Sequence, residues 1–156
     1  KGLDIFLKKE YKRNMAWISY TLSNTEEQFP YFRVNVWRPA PHQQKHELKF
    51  AGVCNYKSFY LSANYVYGSG FERYDLDVDN DLNFDKAYSR MDAALVYKFK
   101  PGKVKAEAGI SILNIFNTEN IKYSNIRIST IDEVSLVGVY SDAISFTPAV
   151  FLNIEF

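Results

Sequence analysis

A single cysteine, Cys54, stands among the 156 residues. No disulfide can therefore form within the chain, and nothing around it has the spacing of a CxxC pair or a Cys/His ligand set. It reads as a packed thiol, a small apolar group. Histidine is nearly as scarce, with His42 and His46 alone. On a helix that spacing would bring two imidazoles to one metal, but on an extended chain it spans about 13 Å at about 3.3 Å per residue. No metal pair is expected. An excess of one charge is also missing: 19 basic residues face 18 acidic ones. That balance leaves no net field to attract nucleic acid or acidic lipid. No apolar run approaches the roughly 18 to 20 residues of a membrane helix, which excludes helical insertion. No G-x-S-x-G, H-E-x-x-H or phosphate-binding glycine loop occurs, so catalysis is not expected and no cofactor is implied. Lys1-Gly2-Leu3-Asp4 opens without a charged leader and apolar signal core, so that either a signal has been removed or, the favoured reading, the residues continue a longer chain.

What is abundant is aromatic. Tyr and Phe number 12 each, and aromatics reach 17% of the chain, a composition that suits strands and membrane-interface belts. Seven segments alternate apolar and polar residues, the period of a strand with two unlike faces. The first sets Leu3, Ile5 and Leu7 against Asp4, Phe6 and Lys8; the second sets Ala16, Ile18, Tyr20 and Leu22 against Trp17, Ser19 and Thr21. The third and fourth carry Leu48, Phe50, Gly52 and Cys54, then Phe59, Leu61, Ala63, Tyr65 and Tyr67, on their apolar sides. Met91 to Phe99 and Ala106 to Ile112 supply the next two, separated by a Pro101-Gly102 turn. Register is lost around Asn114-Ile115-Phe116-Asn117, where a bulge or a strand end is expected. Phe146 to Phe156 alternates most cleanly of all.

The connections alternate too. Short turns fall near residues 10–13, 55–58 and 100–103, and long loops near 23–43, 68–87 and 118–142. Tight turns on one side and long loops on the other mark transmembrane barrels, with the turns periplasmic. Several segments reach the 9 to 11 residues needed to cross a bilayer at about 45°. Tyr56, Phe59, Tyr97, Phe99 and Phe156 lie where strands meet turns and would form a girdle on the turn side. The expected fold class is all-β: seven antiparallel meander strands forming the C-terminal part of a large transmembrane barrel. Because an open sheet edge cannot face lipid, the remaining strands are expected upstream of Lys1.

Several stretches carry a more specific resemblance. Gly2-Leu3-Asp4-Ile5-Phe6-Leu7-Lys8-Lys9 and Ala16-Trp17-Ile18-Ser19-Tyr20-Thr21-Leu22-Ser23 look like paired late barrel strands of Bacteroidetes-type TonB-dependent outer-membrane receptors. His42-Gln43-Gln44-Lys45-His46-Glu47-Leu48 resembles the point where a strand of that family resumes after an extracellular loop, and Tyr65-Val66-Tyr67-Gly68-Ser69-Gly70 resembles a strand exit. Tyr88-Ser89-Arg90-Met91-Asp92 and the stretch from Gly109 to Asn117 are similar to two further segments. Val150, Leu152, Ile154 and Phe156 resemble the C-terminal signal by which barrels are recognised for insertion. The resemblance implies a bacterial outer-membrane importer of a large, scarce ligand: a siderophore, a cobalamin-like compound or a glycan. It implies as partners outer-membrane lipid, the remaining barrel strands and plug domain, the TonB system, the barrel-insertion machinery and a surface lipoprotein. The family's plug and TonB box do not occur within these residues.

Aromatic and charged loop residues, Trp37, Arg38, Phe71, Arg73 and Tyr74, are the candidates for ligand contact. Arg90, Asp92, Lys98 and Glu107 are expected to face the lumen, either touching substrate or plug or forming a ladder of mutually neutralising charges. Asp75, Asp77, Asp79 and Asp81, with Asp85, suggest a calcium site, since hard cations take several carboxylate oxygens. Asn80 at the glycine position and Lys86 in place of the bidentate glutamate depart from an EF-hand, so a solvated loop is the plainer reading. Two other classes produce the same alternation: a soluble antiparallel sandwich or barrel acting as a binding module, and a barrel enzyme, which needs clustered catalytic side chains.

Overall fold

The computed structural model describes residues 1–30, 35–40, 42–70, 86–131 and 133–155, with the backbone alone between 121 and 142. Strands run β1 (Gly2–Tyr11), β2 (Asn14–Ser23), β3 (Glu26–Glu27), β4 (Arg38–Pro39), β5 (His46–Tyr56), β6 (Phe59–Gly68), β7 (Tyr88–Phe99), β8 (Lys105–Leu113), β9 (Ile121–Ile131), β10 (Glu133–Asp142) and β11 (Thr147–Glu155). The described residues contain no α-helix. Seven strands form one antiparallel sheet in the order β1-β2-β5-β6-β7-β8-β11, each beside its neighbour in the meander. All seven strands expected from the alternation are present. The sheet is open, with β1 and β11 as its edges.

Two of the turns are two-residue hairpins, Lys12-Arg13 and Lys57-Ser58, closed by the pairs Tyr11–Asn14 and Tyr56–Phe59. The third spans residues 100–104 and takes its left-handed step at Gly102, φ 70°, where glycine carries no Cβ penalty. All three turns lie at one end of the sheet because antiparallel neighbours reverse direction at each hairpin. The long connections differ from the expectation of plain loops. The first contains the short β3–β4 pair, and the third contains β9 and β10, an antiparallel hairpin that forms a separate two-stranded sheet. Residues 121–142 are rich in Ile and Val, which favours strand, but their apolar residues fall on both parities and hide the two-faced signature.

Register carries one parity across the whole sheet. Leu7 pairs with Ile18, Ile18 with Phe50, Phe50 with Tyr65, and Tyr65 with Met91. Nearer the short turns Leu61 pairs with Leu95, Leu95 with Ile110, and Ile110 with Val150. The result is a continuous apolar face. Nothing among the described residues covers it: Leu7 is 63% exposed, Leu95 40%, Leu152 60% and Val150 81%. Ala40 and Ala106 are the only buried apolar side chains described. Cys54, expected to be packed, is exposed on this same face, because no described residues form a second layer over it.

The opposite face is polar, and on it β11 is joined to β8 by one tight aromatic contact. Gly109 pairs with Phe151, and a methyl group at Gly109 would overlap the Phe151 ring. Glycine is therefore a socket here. Gly109→Ala must push that ring aside, and the ring is 38% exposed and can yield. The cost should be about 0.5–1.5 kcal/mol, that of an off-rotamer side chain, read as a lower denaturant midpoint. Adding Phe151→Ala should recover part of that loss, and a pair of strictly additive effects would refute the socket.

Candidate functional site

The polar face gathers the charged residues of the seven sheet strands except Lys9, which stands on the apolar face opposite Ala16 near the short-turn end. In the row through β1, β2, β5, β6 and β7 stand Phe6, Ser19, Lys49, Val66 and Arg90. In a row near the short turns stand Lys98, Glu107 and Asn153. Ion pairs run along and across the strands: Lys8–Glu10 at 2.7 Å, Lys49–Glu47, Arg90–Asp92 at 2.8 Å, Lys98–Glu107 at 3.4 Å and Lys105–Glu155 at 3.5 Å. Each pair joins groups that the pleat already puts on one side, since side chains two apart in a strand share a face.

The four strand charges singled out from the sequence thus share a face but form two separate sites. Lys98 lies six residues along β7 from Asp92, about 20 Å at about 3.3 Å per residue. At the turn end, Glu107 holds Lys98 and accepts a 3.0 Å hydrogen bond from the Asn153 amide, while the Lys98 ammonium stands 4.7 Å from the Tyr60 ring centre. A concavity of about 700 Å3 opens beside them, lined also by Lys57 and Lys105. Four lysines, Lys57, Lys98, Lys100 and Lys105, face two glutamates, Glu107 and Glu155, around it, so amide, ring and paired charge lie in a polar surface of net positive charge.

The other site sits where the long connections leave the sheet. Asn114 is fully buried with φ 50°, a left-handed conformation that asparagine tolerates better than most residues. Its Nδ2 donates to the carbonyls of Thr118 at 2.9 Å and Ile144 at 3.0 Å, and its Oδ1 accepts the Thr118 N–H at 3.1 Å. Its own N–H donates to Asp92 Oδ1 at 2.8 Å, the same oxygen that takes Arg90 Nε. Asn117 Oδ1 accepts the Phe146 N–H at 3.0 Å. Asn120 clasps the Ser89 backbone, accepting its N–H at 2.8 Å and donating to its carbonyl at 2.9 Å. Three asparagines spaced by three thus tie β7, β8 and the approach to β11 around the base of the β9–β10 hairpin. The strand end expected at Asn114–Asn117 is there, since β8 stops at Leu113, but the node the asparagines build, and Asn120 in it, had no signal beyond asparagine recurring every third position.

A second knot holds the first two long connections. Buried Gln43 accepts the Thr25 N–H at 2.8 Å, Gln44 donates to the Ser69 carbonyl at 2.9 Å, and the Ser69 hydroxyl accepts the His46 N–H at 3.0 Å. The two stretches singled out at residues 42–48 and 65–70 therefore touch. His46 shares a 2.8 Å hydrogen bond with the Tyr20 hydroxyl, which occupies its Nδ1. Of the ligand-contact candidates, Trp37 is 62% exposed and Arg38 lies in β4 opposite Glu27. Phe71, Arg73, Tyr74 and the aspartates Asp75, Asp77, Asp79 and Asp81 lie outside the described residues. Val150, Leu152 and Ile154 share the apolar face of β11, opposite Ile110, Ala108 and Ala106; Phe156 lies outside the described residues.

Compared with known proteins, the chain matches no family model, no curated protein and no solved structure.

Proposed function

We propose that this chain is wall and loop of a bacterial outer-membrane β-barrel, the C-terminal portion of a TonB-dependent receptor that imports a large, scarce ligand such as a siderophore, a cobalamin-like compound or a glycan. The observation that carries the reading is the apolar face left uncovered over all seven strands. In water such a face needs a second layer; against lipid it is the layer's complement. The sheet strands are 9 to 12 residues long, so at about 3.3 Å per residue and a tilt of about 45° they rise about 21–28 Å, close to the apolar band of about 25 Å of such barrels. The polar face, with its ion pairs, then turns to an aqueous bore.

The edges β1 and β11 need partner strands before they can lie in hydrocarbon, where unpaired backbone groups cost several kcal/mol each. In this reading the two asparagine and glutamine knots brace extracellular loops that receive the ligand, Trp37 and Arg38 among them. The plug, the TonB system and a surface lipoprotein enter from the family resemblance alone.

Fractionation of cells that express the protein should place it in the outer membrane and leave it there after alkaline carbonate. Extracted protein should need detergent to stay dispersed. A monodisperse protein in plain buffer overturns the membrane reading. Uptake of ferric siderophore, cyanocobalamin or a labelled glycan that disappears both on deletion and on collapse of the proton gradient supports the transporter; insertion without any such uptake overturns it while leaving the barrel.

A further inference from the structure

The nearly neutral net charge hides a gathering of cations at one end of the strands. The three short turns hold Lys12, Arg13, Lys57, Lys100 and Lys103, five cations and no acid. Since every short turn lies at one end of the sheet, that rim is cationic.

The cations also stand in a particular place. Directly beside them, on the apolar face, Tyr56, Phe59 and Tyr97 form one cross-strand row, with ring centres of Phe59 and Tyr97 4.8 Å apart. Tyr11 ends β1 on the same face and is 63% exposed. The Lys12 ammonium lies 5.2 Å from the Tyr11 ring centre, and that of Lys57 lies 5.4 Å from the Tyr56 ring centre. Both lysines thus sit above the aromatic edge of the greasy face, the disposition of a side chain that rests its stem on apolar surface and keeps its charge at a polar boundary.

Backbone conformation sharpens the point. Lys12 and Lys57 each take the left-handed region, φ 56° and 54°, at the first position of a two-residue hairpin where glycine or asparagine is the favoured occupant. Lysine has no conformational reason to be there, and a residue held in an unfavoured conformation directs attention to what its side chain does.

We propose that this rim docks on anionic phospholipid headgroups: aromatic rings lie at the boundary of the hydrocarbon and the five turn cations meet lipid phosphates and acidic headgroups. The proposal rests on the membrane reading above. An aromatic belt marks the depth of the interface, and each Lys or Arg near an anionic surface contributes a factor of about five in association.

The test uses the full protein reconstituted into vesicles of phosphatidylcholine carrying trace spin-labelled phosphatidylglycerol or spin-labelled phosphatidylcholine, with the fraction of motionally restricted label as readout. Wild type should prefer the anionic label about fivefold or more, and the preference should shrink in 1 M salt. Lys12→Asn with Lys57→Asn, a pair that eases both hairpins and so keeps the fold, should reduce it several-fold; adding Lys100→Gln and Lys103→Gln should bring it close to one. Insertion with equal restriction of both labels overturns the proposal and leaves the barrel standing, as does a preference unchanged by the four substitutions. Suppression by millimolar inorganic phosphate at constant ionic strength also overturns it, since the rim would then be an ion site and not a lipid surface. A protein that stays out of the vesicles altogether refutes the membrane reading instead.

Discussion

Leu95→Arg should destabilise the protein in lipid by about 1–3 kcal/mol, since on the lipid side of a barrel a cation costs about 2–4 kcal/mol at the midplane and about 0–1 at the interface, and Leu95 lies between the two. Leu95 lies in β7 between Leu61 and Ile110 on the uncovered face and is 40% exposed. On an ordinary wet sheet surface, a leucine exposed to that degree could become arginine within about 0.5 kcal/mol. The size of the loss therefore reports what touches the face. Ser62→Arg, one residue along β6 from Leu61 and on the polar side, serves as the internal control and should change stability by less than about 1 kcal/mol. Equilibrium unfolding in urea from lipid vesicles, with both variants beside wild type, measures the contrast. Equal small effects at the two positions would show that the apolar face meets water or a tolerant surface, and the membrane assignment would fail with it.

Asn114→Ala should cost about 3 kcal/mol and loosen the loop bases at the same time. The side chain makes three hydrogen bonds from a fully buried position. Its removal takes the donor from the Ile144 carbonyl and the acceptor from the Thr118 N–H, at about 1–3 kcal/mol, while the Thr118 carbonyl keeps Asn120 Nδ2 at 3.2 Å. Alanine adds about 1 kcal/mol of strain at φ 50°. Asn114→Asp separates the causes. Aspartate also tolerates φ near 50°, and it keeps an acceptor for the Thr118 N–H, but an ionised carboxylate cannot donate to either carbonyl. It should therefore be at least as damaging as alanine, whereas Asn114→Gly, which relieves the backbone, should be milder than alanine by about 1 kcal/mol. Amide exchange offers the local readout: Thr118 should lose protection in the alanine and glycine variants and keep more of it in the aspartate variant, while Ala63, in the middle of β6, should keep its own in all three. A uniform loss across the sheet would mean that the node holds up the whole fold and not the loops alone.

The strands were legible because their signal is local. Alternation over Leu3 to Leu7, or Phe59 to Tyr67, needs nothing beyond the sequence itself to fix which side chains share a face. Turns were legible where their chemistry is distinctive, as at Pro101-Gly102, and approximate where it is not: a lysine in the left-handed region at residue 12 or 57 carries no turn signature. The β9–β10 hairpin was missed because its apolar residues occupy both parities, so the period that identifies a half-covered strand is absent. The asparagine node was out of reach for another reason. Asn114 meets Ile144 and Asn120 meets Ser89 across 30 and 31 residues, separations that no local pattern encodes.

Sequence alone determined the class of the molecule: an all-β meander of seven long strands, each with a greasy and a wet side, joined by short and long connections in turn. These properties are periodic or compositional, so each can be read within a few neighbouring residues. Tertiary structure alone decided that the seven greasy sides line up into one uncovered face, that Phe151 seats on Gly109, that distant asparagines close on the loop bases, and that the cations of three separate turns gather at one rim of the sheet. All of these depend on register, which brings together residues far apart in the chain and sets direction as well as composition.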